Sequence, residues 1–167
     1  MGMRAWEHQI TNERLDAFRR HPDDVSRFVQ RLLASSWGDG EFSDPRWTVY
    51  LDKSWDLLSY LLRSSQVGGT ALANDPVQGG TEIGAPLDYG PARYFTPGQV
   101  KELAQALQSI SWEALVTHLD PGAMSRAGIY LAGVPGVLED ARPAFHQLVN
   151  FYVDAAANNH AILAFVV

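Results

Sequence analysis

A chain of 167 residues with 13 basic and 19 acidic side chains carries a formal net charge of −6 and contains no cysteine. The length fits a single domain over residues 1–167, large enough to bury a core without a covalent staple. Absent cysteines exclude disulfides, thiolate zinc sites and a cysteine nucleophile, and the acidic balance argues against nucleic acid, whose phosphates call for a basic stripe.

Residues Met1 to Ile10 include Arg4, Glu7 and His8, so they lack the apolar run of a signal peptide. They read instead as a first strand of modest quality, with a small-residue start at Gly2. No stretch approaches the roughly 18 apolar residues that a membrane helix needs. A cytoplasmic protein without a membrane partner is the expectation, and eleven Arg against two Lys fits the codon usage of a GC-rich bacterium. Arg4, Arg14, Arg19, Arg20, Arg27 and Arg31 are interleaved with Glu7, Glu13, Asp16, Asp23 and Asp24, which reads as a mixed, solvated helix face.

Thr11 or Asn12 caps a short helix through Phe18. His21-Pro22-Asp23-Asp24 opens a second, since Pro suits the first turn and the two Asp favour the N-terminal dipole. Val25, Phe28, Val29, Leu32 and Leu33 form its apolar stripe, and Gly38 and Gly40 end it. Ser43-Asp44-Pro45 is a turn or cap. Leu51 to Arg63 predicts a helix, with Leu51, Trp55, Leu58 and Leu62 on one stripe and Leu57 and Leu61 widening it. Ser64 to Asp88, punctuated by Gly68-Gly69, Asp75-Pro76, Gly79-Gly80 and Gly84, is long for a loop and is expected to hide a short strand around Thr81 to Ile83.

Thr96-Pro97-Gly98-Gln99 is the clearest boundary: a capping residue, a proline at the first helical position, and the glutamine of a capping box. Val100, Leu103, Ala104 and Leu107 follow at helical spacing. Ser111 caps a short helix carrying Trp112, Leu115, Val116 and Leu119, which Asp120-Pro121-Gly122 breaks. Gly128 to Gly136 is irregular or briefly extended around Ile129-Tyr130-Leu131. A last helix from about Pro143 to Ala157 ends at Asn158-Asn159, because Asn tolerates positive φ. The seven apolar residues after His160 read as a strand covered on both faces, placed centrally beside the Met1–Ile10 strand.

Several of these pieces resemble the YfbM-like family of bacterial proteins, which is grouped as a domain of unknown function. They are Met1-Gly2-Met3, Lys53-Ser54-Trp55 before the Leu-rich helix, Tyr89-Gly-Pro-Ala-Arg93-Tyr94 leading into Thr96-Pro97, and Phe151-Tyr152, Ala155-Ala156 and Asn159 before an apolar strand. They run in order over nearly the whole chain. The match departs after Ile129-Tyr130, where the family pattern has a Pro and a Trp and this chain has Leu131. The resemblance implies a compact α+β fold and transfers no activity.

Five residues stand out as a candidate ligand site: Lys53, Trp55, Tyr89, Arg93 and Tyr94. Lys53, one of two lysines, either holds an anionic ligand or lays its stem along the core while pairing with a carboxylate. Asp52 and Asp56, four apart on the predicted helix, supply that carboxylate or an acid–base pair. Trp55 also fits the core. Arg93, three residues before a helix cap, either binds an anion beside the helix N-terminus or pairs internally and pins its loop. Gly79-Gly80-Thr81-Glu82-Ile83-Gly84 lacks the Lys-Ser/Thr end of a phosphate loop and reads as a tight turn or bulge.

The five histidines show no metal-ligand spacing, although His8 and His160 come together if the terminal strands pair. No G-x-S-x-G elbow is present. No metal or cofactor is implied. The remaining large aromatics and the Phe145-to-Ala156 stripe read as core.

These features predict a single α+β domain with a small sheet, including the N- and C-terminal strands, packed against several helices. The leading functional expectation is a binding module for a protein partner, such as an immunity-type or regulatory one, or for a small anionic molecule. One alternative is a small hydrolase or transferase using Lys53 and Arg93; the other is a structural, self-associating subunit. Burial of Ile162, Leu163, Phe165 and Val166 contributes about 6–12 kcal/mol, comparable with a net stability of about 5–15 kcal/mol. Deleting residues 160–167 is therefore expected to abolish the cooperative thermal transition followed by circular dichroism. A sharp melt near the full-length temperature would contradict the strand.

Overall fold

Residues 2–35, 45–65, 74–117 and 119–167 are described by a computed structural model. The expectations placed on Met1, Trp37, Gly38, Gly40, Ser43, Asp44, Gly68, Gly69 and His118 lie outside the described residues. The elements in order are β1 (Ala5–Ile10), α1 (Asn12–Arg20), α2 (Asp24–Ser35), a 3₁₀ turn (Pro45–Trp47), β2 (Thr48–Asp52), α3 (Trp55–Ser64), β3 (Thr81–Leu87), β4 (Gly90–Phe95), α4 (Pro97–Gln108), α5 (Trp112–Val116), α6 (Pro121–Arg126), α7 (Val137–Ala157) and β5 (Ala161–Val166). The strands form one sheet in the order β2-β1-β5-β4-β3, every neighbouring pair antiparallel. The fold is α+β, as expected.

Strand β5 is central. It pairs with β1 from Ala5↔Val166 to Ile10↔Ala161, and with β4 from Arg93↔Ala164 to Phe95↔Ile162. Successive side chains of a strand point to opposite faces, and both faces of this sheet are covered. Ala161, Leu163 and Phe165 meet Leu15, Phe18, Val25, Phe28 and Leu32 of α1 and α2. Ile162 and Ala164 meet the larger core built on α3, α4, α5 and α7. That double burial is why the sequence shows an unbroken apolar run rather than an alternation.

The caps behave as their chemistry dictates. Thr11 Oγ1 accepts the Arg14 N–H at 3.2 Å, and Thr96 and Gln99 form a complete reciprocal capping box. Ser111 Oγ accepts the Ala114 N–H, and Asn159 takes φ 54° to stop α7.

Elsewhere the structure corrects the sequence. Leu51 belongs to β2, not to a helix: Val49 and Leu51 alternate inward, and Asp52 at φ 46° turns the chain into α3. Leu51 still sits four residues from Trp55, so the helical stripe coincided with a strand–turn–helix. Tyr89 to Tyr94 is not a connection but the tip and body of the β3–β4 hairpin. Strand β4 was hidden by Gly90 and Pro91, and Pro91 pairs opposite Pro86 beside a register break. Gly84, at φ 82°, stands where a Cβ would lie 3.0 Å from both Pro22 O and Val25 Cβ, which lets α2 approach the strand.

Helix α5 stops at Val116, before Leu119 and Asp120, and Asp120 instead caps α6, its Oδ1 accepting the Gly122 N–H at 2.8 Å. Helix α7 begins six residues earlier than the proline suggested, with Pro143 inside it. An interior proline removes the hydrogen bond to the carbonyl four residues back, here Glu139; buried Ala141, Ala144, Phe145 and Leu148 hold the helix through that defect. No strand forms at 129–131. Instead, Leu131 takes φ 63° in a turn.

Part of the 64–88 segment is pinned by Asp75, whose Oδ1 accepts the Val77 and Gln78 N–H groups at 2.8 and 3.1 Å while Oδ2 accepts the Ser59 hydroxyl. Tyr152 of α7 donates to Pro76 O at 2.7 Å. Beside this contact Glu7 is 1 % exposed in the middle of β1, with neither carboxyl oxygen hydrogen-bonded. Burial, and then the neighbouring Asp75 charge, raise its pKa well above the usual 4.5, with Tyr152 acting in the opposite direction.

The folded state therefore keeps Glu7 protonated where the unfolded chain would ionise it, so its contribution to stability falls as pH rises above about 4.5. Glu7→Met, which removes the buried carboxyl, should raise the melting temperature more at pH 8 than at pH 5. An equal or larger gain at pH 5 would contradict a neutral, buried Glu7.

Candidate functional site

The five residues singled out by sequence do not converge. Between the end of β2, which leads to Lys53, and β4, which carries Arg93, lie β1 and β5, so the backbones are roughly 14 Å apart across the sheet. Arg93 reaches away from Lys53, pairing with Glu82 on β3 at 2.8 Å. Tyr94, on the opposite face, packs under the Arg19 guanidinium at 5.0 Å. Tyr89 is half exposed at the hairpin tip. Trp55 is buried in the larger core with its indole Nε1 unpartnered. Of the two readings of Arg93, internal pairing is the one realised, and a single Lys53–Arg93 site is excluded.

Asp52 and Asp56 do not share a helix face either. Asp52 ends β2 and accepts the Tyr50 hydroxyl at 2.7 Å; burial and then that carboxylate push the phenol to about 12. Asp56, in the first turn of α3, accepts Gln78 Nε2 at 3.1 Å and the Tyr130 N–H at 2.8 Å.

A cleft of about 780 Å³ opens where α1 and α2 meet β1 and the 3₁₀ turn. Among the described residues its charged wall carries Arg14, Arg27 and Arg31 against the single carboxylate of Asp24, in a chain whose net charge is −6. Arg27 pairs with Asp24, and the Arg14 guanidinium lies 5.6 Å from the Phe28 ring centre. At its inner end His8 Nδ1 is 2.7 Å from Thr48 Oγ1, a contact set by the Thr48↔His8 register of β2 and β1. Burial, and secondarily the Arg14 charge, lower the His8 pKa to about 4, so the imidazole is neutral at pH 7.

His160 is engaged separately. Its Nδ1 lies 2.9 Å from Gln9 Oε1, and its ring stands edge-on to Trp47, another residue of the cleft. The arrangement presents guanidinium groups and an aromatic edge around a neutral imidazole, which suits binding an anion. Among the described residues no cluster of His, Asp and Glu has metal-holding geometry, and no helix is long and apolar enough to cross a membrane.

A family model described as a domain of unknown function, DUF1877, matches residues 1–165. The chain belongs to this family. The resemblance drawn from the sequence motifs is thus borne out, because the solved structure of the protein of unknown function YfbM from Escherichia coli is also similar. It matches at TM-score 0.69 and 14 % identity, covering 98 % of this chain and 99 % of that one. At that identity the likeness shows the shared fold alone. No curated protein matches the chain.

Sequence reasoning missed the cleft in this DUF1877 member because interleaved signs along α1 and α2 read as solvated surface. A signal was present. Arg27 and Arg31 are four apart, one helical turn, on the flank of the Val25–Leu32 stripe, while the His8 position required the strand register.

Unfolded His8 titrates near 6.5 and folded His8 near 4, so the unfolded state binds the extra proton between those values. Stability falls as pH drops through that window, by roughly 2–4 kcal/mol. His8→Gln, which keeps a partner for Thr48, should flatten the acid limb of melting temperature against pH between 6.5 and 4. An unchanged limb would show that His8 is not buried neutral.

Proposed function

We propose that this chain is a cytoplasmic, non-catalytic binding module for a small anionic ligand, held in the α1–α2 cleft. The observation that carries the reading is the local inversion of charge: among the described residues, three guanidinium groups and one carboxylate line a cavity of about 780 Å³ in an acidic chain. That volume lies within the roughly 300–1,000 Å³ range of small-molecule pockets. A positive cleft in a negative protein concentrates anions locally while the rest of the surface repels them. The catalytic alternative lacks support, since Lys53 and Arg93 sit apart and neither touches a nucleophile–base pair.

Inorganic phosphate, hexose phosphates, nucleoside monophosphates and dicarboxylates, titrated in a thermal-shift assay, test the reading. At least one should give a saturable rise, worth about 2.7 kcal/mol at a hundredfold excess over Kd. Arg14→Ala should weaken that ligand by about tenfold, the loss expected for one charge-assisted contact. Uniform absence of a shift across the panel would overturn a small-anion site and turn the search to a protein partner.

A further inference from the structure

On the other face of the sheet, a cavity of about 520 Å³ lies between the β2–α3 turn and the first turns of α7. Lys53, Ser54, Asp140 and Gln147 line it, and none of these side chains has a hydrogen bond or ion pair among the described residues. The two carboxylates nearest Lys53 in sequence already have other partners. Asp52, which also lines the cavity, is held by the Tyr50 hydroxyl, with Arg4 Nε at 3.9 Å, and Asp56 is held by Gln78 and the Tyr130 N–H.

The lysine stem also runs past Gly2, where an added Cβ would come within 3.2 Å of its Cε. Across the cavity, on the first turns of α7, stands Asp140. A free cation and a free anion thus border one space without neutralising each other.

We propose that this cavity is a binding site for a small zwitterion of the α-amino acid class. Lys53 takes the ligand carboxylate and Asp140 takes its ammonium. The paired charges decide the class. A simple anion meets repulsion from Asp140 and from Asp52, which Arg4 offsets only at 3.9 Å, and a simple cation meets repulsion from Lys53, whereas a zwitterion satisfies Lys53 and Asp140 together. Ser54 and Gln147 add neutral hydrogen-bonding groups suited to a polar side chain.

Isothermal titration of the full chain at pH 7 with the free L-amino acids provides the test. At least one should bind saturably, and both N-acetylation and conversion of its carboxylate to the amide should weaken binding about tenfold or more. Lys53→Met should erase the preference for the acid over the amide. Asp140→Asn should erase the preference for the free amine over the N-acetyl form. Both residues are exposed, so circular dichroism melts should match the parent chain; Arg14→Ala, in the other cleft, should leave binding intact. Binding by no amino acid, binding unchanged in both cavity variants, or binding lost in Arg14→Ala would overturn the site.

Discussion

Strand β5 must be apolar on every residue because helices press on both of its faces and strands flank both of its edges. Ala161, Ile162 and Leu163 are wholly buried, and no polar side chain at these positions could reach water or a partner. Everything else follows from that placement. Two separate cores form, α1 and α2 over one face and α3, α4, α5 and α7 over the other, each locked to alternate residues of the same strand. A register slip of one residue would exchange the two sets and mismatch both cores together.

The same alternation distributes the chemistry. His8 and Tyr94 fall on the α1–α2 face, while Glu7, Gln9 and Arg93 fall on the face packed by α7 and α4. Neighbouring residues in sequence therefore serve different sides of the molecule, and the sheet is a partition between the basic cleft and the cavity at Lys53. Each side has its own electrostatic character: guanidinium groups around a neutral imidazole on one, and a lysine facing carboxylates on the other. The isolated Glu7 carboxyl lies on the second side, sealed beneath α7, where it influences stability and meets no solvent.

Legibility in the sequence tracked how local each determinant was. The capping box at Thr96 and Gln99, the stripe of α2, the Asn159 stop and the doubly buried final strand each depend on residues within a few positions, and each was readable. Strand β2 was not, because Leu51 keeps helical spacing with Trp55 by coincidence. Strand β4 was hidden behind Gly90 and Pro91, and the start of α7 behind Pro143. The candidate site was least legible. Whether Arg93 meets Glu82 or a ligand depends on which strand lies opposite, and the Arg14, Arg27 and Arg31 wall exists only once α1 and α2 fold over His8. Those facts are tertiary, so spacing alone could not deliver them.

The β1–β5 ladder has one more consequence. It joins residues separated by nearly the whole sequence, and it extends past both strands through reciprocal bonds between Arg4 and Val167 at 2.8 and 3.0 Å. A topology whose central pairing is so non-local folds slowly, because loop-closure entropy is spent before those contacts form. The helices and the β3–β4 hairpin can assemble early, but the middle of the sheet must wait. Until then the most apolar segment of the chain stands uncovered with both edges open, which makes the unfinished protein, rather than the finished one, the species prone to aggregate.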